Sequence, residues 1–215
     1  MSSSTRSRKP DVSPTALAAA LVAALVAAAA FSAEPAHAQA PRAAPMTATA
    51  MTQAPHITRY IGDGRLAGEG KLTWLGFHVY DARLYASPRF DVAAPFGQPF
   101  VLELTYARKL EGKAIAEASR DEIQRLGLGD EAQQRRWLAE MEKIFPNVDK
   151  GRRIAGVFQP GAGARFYVDG VYAGSVDEPA FSRAFFAIWL DPRTRAPRLR
   201  ESLLKPAGPT AGLAP

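Results

Sequence analysis

Asp169-Gly170 stands between two short runs rich in Phe, Tyr and Val, Arg165–Val168 and Val171–Val176. A two-residue connection with positive φ at both positions forms a type I′ turn, whose twist matches the strands it joins, and Asp-Gly is among the pairs that tolerate it best. This part of the chain is therefore committed to an antiparallel hairpin. Arg153–Phe158, joined to Arg165 through Pro160-Gly161-Ala162-Gly163, extends the hairpin to a meander. Such a sheet must bury at least one face, so the remaining chain has to supply strands to widen it and helices to cover it.

Upstream, Ile57–Ile61, Lys71–Tyr85 and Phe100–Tyr106 read as strands, and Gly76 inside the second marks a bulge or bend. Alternation along the long run puts Trp74, His78, Tyr80 and Leu84 on one side and Leu75, Phe77, Val79 and Tyr85 on the other. Both sides are largely apolar, which predicts cover on both faces. The period then changes. Ile115, Ile123 and Leu126 share a helical stripe over Gly112–Leu126, closed by Gly127 and Gly129. Asp130 is placed to cap a second helix, Glu131–Phe145, with Trp137, Leu138, Met141, Ile144 and Phe145 on its buried side and Pro146 after it. Beyond the meander, Asp177 is expected to cap a helix with Pro179 in its first turn and Phe181, Ala184, Phe185, Ile188 and Trp189 at helical spacing. Pro197 opens a last short helix through Leu204. Strands, then helices, then a meander, then helices predict an α+β fold, an antiparallel sheet with helices laid on it.

The N-terminus has a separate character. Arg6, Arg8 and Lys9 precede an unbroken Ala, Leu and Val run, Ala16–Phe31, that is shorter than the roughly 20 residues needed to span a bilayer. Ala36-His37-Ala38 offers small residues at the two positions a signal peptidase inspects. Residues 1–38 are thus expected to be a secretory signal peptide cut after Ala38, residues 39–55 a flexible leader, residues 56–205 the domain, and residues 206–215 a disordered tail. The expected location is the periplasm, with no integral membrane segment left after cleavage. With no cysteine, stability outside the cytoplasm has to come from packing, and thiolate chemistry and Cys-bound zinc are excluded.

The net charge of +6 is spread along the chain. Its densest part, Arg193, Arg195, Arg198 and Arg200, is broken by Pro197 and has no aromatic residues between the cations, so nucleic acid is not an expected partner. Outside the signal peptide the histidines are His56, placed with the leader, and His78, which reads as a strand residue near a satisfying partner; neither a His metal site nor a Ser-His-Asp triad assembles from them. Gly62-Asp63-Gly64 with Gly68 has the wrong spacing for a dinucleotide fingerprint, and it precedes a strand instead of opening a helix. No cofactor is expected. What remains for chemistry is a set of phenols and guanidinia on apolar strands: Tyr80, Tyr85, Tyr106, Arg83 and Arg108. Each is also an ordinary strand residue whose ring packs while its polar end reaches water.

Gly76-Phe77-His78-Val79-Tyr80-Asp81-Ala82-Arg83-Leu84-Tyr85-Ala86, followed by Leu102-Glu103-Leu104-Thr105-Tyr106-Ala107-Arg108, resembles a strand pair of chalcone isomerase-like proteins. The stretch from Phe181 to Pro192, with Leu199-Arg200 and Leu203-Leu204, is similar to the C-terminal helix and tail of the bacterial secreted branch. Phe145-Pro146-Asn147-Val148, Gly151 and Phe166-Tyr167 match the same branch, so the resemblance spans nearly all of Arg65 to Leu204. It implies an open-faced β-sandwich, a large antiparallel sheet under a layer of helices, with a ligand cleft between the layers. Plant members of the family cyclise a chalcone there, using an arginine and hydroxyl groups; other members bind fatty acids, gripping the carboxylate with arginine and tyrosine. Tyr80 falls where the enzymes carry threonine and the fatty-acid binders tyrosine. The enzymes' arginine position meets Gly68-Glu69-Gly70-Lys71, which leaves Arg65 or Lys71 as stand-ins, and their further tyrosine and asparagine positions fall near Ile115 and Glu122.

The leading expectation is a periplasmic binder of a small amphipathic ligand, such as a fatty acid, with Tyr80, Tyr106 and Arg108 as ligand-binding residues. The alternative is an isomerase of the chalcone type, for which Arg65, Lys71 and Tyr80 are the catalytic candidates. A third is a partner protein of the cell envelope that makes contact through the tail from Arg193 to Arg200.

Overall fold

The computed structural model describes residues 54–205. The expected signal peptide, most of the leader and the tail from residue 206 lie outside the described residues. Ala54 and Pro55 already belong to the folded part: the Ala54 carbonyl accepts the Ile57 amide at 2.8 Å, and Pro55 opens helix α1 (Pro55–Ile61). Ile57–Ile61 is therefore helical and not a strand. Proline at the first helical position, with φ already set for a helix, is the local cause.

The long apolar run is a hairpin, not one strand. β1 (Arg65–Trp74) and β2 (Phe77–Ala86) are joined by Leu75 and Gly76, with φ of 48° and 82°. The turn has the form expected at Asp169-Gly170, where φ is 48° and 85° and where β5 (Ala164–Val168) folds back onto β6 (Val171–Val176). Asp169 locks its own turn, its Oδ1 accepting the Arg153 amide at 2.8 Å. With β3 (Phe100–Tyr106) and β4 (Arg153–Phe158), the six strands form one antiparallel sheet in chain order. Tyr80 lies opposite Tyr106 in the β2–β3 register, and Thr105 opposite Arg153 in the next pair.

One face carries the helices α2 (Gly112–Arg125), α3 (Glu131–Ile144), α4 (Pro179–Leu190) and α5 (Pro197–Leu204). Asp130 caps α3 in a reciprocal box: its Oδ1 accepts the Gln133 amide at 2.8 Å, and Gln133 Oε1 accepts the Asp130 amide at 3.0 Å. Asp177 does not cap α4. Glu178 holds the N-cap position without capping, because its carboxylate is taken by the buried Trp137 indole N–H (2.8 Å) and by Gln133 Nε2 (3.2 Å). Phe186 of α4 stands edge-on to Phe100 at 5.0 Å, and Phe100 stacks on Phe158 at 4.8 Å. At the β1 edge α5 comes so close that a Cβ on Gly68 would strike the Leu203 carbonyl; only glycine admits this approach.

The other face is covered by α1. Ile57 and Ile61 pack on Val101, Ala155, Val157 and Tyr167, with Tyr60 and Tyr85 at the margin. Cover on both faces is thus what the two-sided apolar pattern of the strands requires, and a helix of seven residues provides it on this side.

Candidate functional site

Tyr80 and Tyr106 come together at the end of the sheet nearest the Leu75-Gly76 turn, their rings edge-to-face with centroids 6.0 Å apart. Trp189 of α4 closes over them, donating its indole N–H to the Tyr80 hydroxyl at 2.9 Å. Burial pushes both phenols well above their ordinary range. The hydrogen bond from Trp189 draws Tyr80 back in part, and the negative charge of Glu122 pushes it further up. At neutral pH both are protonated, so each has an O–H to donate. Tyr106 is 4 % exposed, and its hydroxyl has no hydrogen-bond partner among the described residues.

Glu122, on the last turn of α2, ties this end of the molecule together. It accepts from Arg125 Nε at 2.8 Å and lies 3.2 Å from Arg195 Nε. One carboxylate thus serves two guanidinia, and Arg125 Nη2 is buried without a partner. Donors exceed acceptors here, and the local charge is positive.

The other residues singled out from the sequence fall elsewhere. Lys71 pairs with Asp81 and so lies on the face opposite Tyr80, exposed. Arg65 pairs with Ala86 and is exposed at the far end of the hairpin, about 20 Å from Tyr80 by strand rise. Arg83 and Tyr85 also belong to the α1 face, Arg83 in an exposed ion pair with Glu69 at 3.1 Å. Arg108 is half-buried over the Phe77 ring, 5.6 Å from its centroid. His78 is exposed and bonds Asp81 at 3.1 Å. His56 is not in a loose leader: it is buried, stacked on Tyr167 at 5.1 Å, with Nε2 3.9 Å from Glu103 Oε2. Three of the four arginines of the tail are used within the chain, Arg193 on Asp191, Arg195 on Glu122 and Arg200 on the Leu190 carbonyl.

The layer between sheet and helices beneath α4 is filled by Phe100, Phe158, Phe166, Phe181, Phe185 and Phe186. An open groove of about 400 Å³ lies instead beside the β5–β6 turn, lined by Ile144, Pro146, Val171 and Tyr172 with Arg152 and Asp169 at its rim. None of the residues singled out as ligand-binding or catalytic lines that groove. Among the described residues no group of three or more His, Asp or Glu side chains is placed to hold a metal, and no helix is long and apolar enough to cross a membrane.

A family model described as chalcone isomerase-like matches residues 65–205. An uncharacterised protein of Haemophilus influenzae is 31% identical over 137 residues, which cover 64% of this chain and 66% of that protein, so the match spans just under two thirds of the relative's length. The crystal structure of a fatty-acid binding protein of Arabidopsis thaliana is similar in fold, with a TM-score of 0.50 and 18% identity, covering 67% of this chain and 89% of that one.

Proposed function

The chain belongs to the chalcone isomerase-like family, and from that premise we propose that it is a non-catalytic binder of a small amphipathic ligand with an acidic head, such as a fatty acid, working in the periplasm. The observation that carries this reading is the surplus of donors around Tyr80. Arg125 Nη2 is buried without an acceptor and Glu122 is already shared by two guanidinia, while the Tyr106 hydroxyl makes no hydrogen bond to the described residues. A buried donor left unmade costs about 1–3 kcal/mol. A carboxylate supplies only acceptors, up to four lone-pair sites, and one negative charge where one is lacking. The Arabidopsis protein of the same fold is named for fatty-acid binding, which supports the choice of ligand class. Because the aromatic layer under α4 is filled, the tail would enter along the margin between β2, α2 and α4, with Trp189 moving aside. Arg65 and Lys71, on which an isomerase mechanism would lean, are exposed and set away from Tyr80, so no observation at the site favours catalysis.

Titration with oleate, followed by tryptophan emission and by thermal shift, tests the reading directly. Trp189 should respond as its bond to Tyr80 is disturbed, and a native mass spectrum of protein purified from its own host should show a copurifying acid. Tyr106→Phe, which removes an unpaired hydroxyl, should leave the melting temperature unchanged while weakening binding about tenfold, the worth of one hydrogen bond. A protein that purifies empty and gives no response to fatty acids in either assay would end the proposal.

A further inference from the structure

The tip of the β1–β2 hairpin carries apolar side chains where a turn ordinarily carries polar ones. Leu75 is 70% exposed and Phe77 is 50% exposed. Leu75 also has a φ of 48°, in the left-handed region that leucine rarely adopts and that Asn or Gly occupies at little cost. A strained backbone holding a leucine out in water is not explained by the fold, since Asn-Gly would make the same turn better.

Three cations surround this tip. The β2–β3 pairing continues past Tyr106 through the Ala107 amide, which donates to the Val79 carbonyl at 2.9 Å and brings Arg108 over the Phe77 ring. Lys109 follows, exposed, and Lys71 lies on β1 about 13 Å from Leu75 by strand rise. None of the three forms an ion pair among the described residues. Glu69 is taken by Arg83, and the other nearby acids are Asp81, which bonds His78 and lies opposite Lys71, and exposed Glu111, so the three cations leave a surplus of one positive charge at the tip.

We infer that the β1–β2 hairpin tip is a membrane-surface anchor: Leu75 and Phe77 dip into the interfacial region of a bilayer while Arg108, Lys109 and Lys71 pair with anionic lipid headgroups. Apolar side chains backed by long basic ones are what an interface of this kind selects, because the cations keep their heads at the phosphate level while the apolar groups leave water. The anchor stands on its own geometry and does not depend on the tyrosine site being a lipid site.

The test uses the full chain, which has no cysteine, so a single introduced thiol carries an environment-sensitive dye at one position. The apolar N-terminal run can hold the chain on vesicles by itself, and a positional label separates that from the tip. On phosphatidylcholine vesicles doped with phosphatidylglycerol, a dye at Leu75→Cys should brighten several-fold and shift to the blue. A dye at Ala162→Cys, at the opposite end of the sheet, should not. The Leu75 response should fall in high salt and on phosphatidylcholine alone. A dye at Thr73→Cys should respond in the native background and lose most of its response when Leu75→Asn is added, a change that improves the turn and so cannot act through unfolding. A tip label that stays in a watery environment on anionic vesicles, or one that responds no more than the label at 162, overturns the proposal and leaves the tip to a protein partner. Oleate titration of Leu75→Asn keeps the two readings apart, since binding at the tyrosine site should be unaffected.

Discussion

His56 and Glu103 face one another beneath α1, both nearly sealed from water. Burial, helped by the positive charge of Arg153, holds the imidazole below its ordinary pKa, and burial holds the Glu103 carboxyl above its own, against the pull of Arg153 and Arg83. The two shifts act on stability with opposite signs. As pH falls through the ordinary histidine value of 6.5, the unfolded chain takes up a proton that the folded His56 refuses, so stability drops. As pH falls through the raised Glu103 value toward 4.5, the folded chain takes up its proton first, so stability is regained. Glu103→Gln removes the second effect and keeps the first. Its melting temperature should therefore fall more steeply than that of the wild type between neutral pH and pH 5, and it should gain most on the wild type at neutral pH. Parallel melting curves would show that the pair does not couple to folding. At this scale the phenols of the candidate site were legible, because Tyr80 and Tyr106 are strand residues of fixed register. Glu122 was met only as the place near which the family's asparagine position falls, and Arg125, Arg195 and Trp189 were not singled out for the site, since they reach it from other segments of the chain. The one local hint was the spacing of Glu122 and Arg125, three residues apart on a helix, which brings their side chains onto one face.

Elements with strong local grammar were recovered at their ends. β3, β4, β6 and α5 run as the sequence indicates, and Asp130 makes the cap its position promised. Two misreadings share one cause, a competing signal too weak to hear. Leu75-Gly76 carries half the turn chemistry of Asp169-Gly170, so the hairpin passed for a single bent strand. Ile57–Ile61 is too short for the helical period to declare itself against alternation. Yet α1 covers the centre of its sheet face, over Val101, Ala155 and Val157, which sets its energetic role. Ile57 is 2% exposed against Val101 and Val157, so Ile57→Ala should cost about 2–4 kcal/mol, read from denaturant unfolding, and should expose Tyr167 to quenchers. On the opposite face, Gly68→Ala forces α5 away from β1 by collision with the Leu203 backbone. A loss of about 1–3 kcal/mol is expected, with faster proteolysis at the C-terminal helix; a neutral result would mean that α5 is free to slide.

For the molecule as a whole, export is the reading that most affects how the protein works, and it is tested by mass. Protein recovered from the periplasm should begin at Gln39, whereas an intact N-terminus would contradict cleavage after Ala38. What the sequence by itself determined was the class of fold. Periodicity, turn pairs and caps are local, each set by a few neighbouring residues, and together they dictate an antiparallel sheet under helices. The family resemblance carried by Gly76–Ala86 and Phe181–Pro192 agrees with that result. What only the tertiary structure decided was the company each polar group keeps. Whether a phenol finds an acceptor, whether one carboxylate must serve two guanidinia, and whether a lysine faces helices or water depend on register and packing between segments as much as 109 residues apart, as Trp189 and Tyr80 are. Such contacts leave no trace in spacing, because the chain specifies them only through the shape of the fully packed whole.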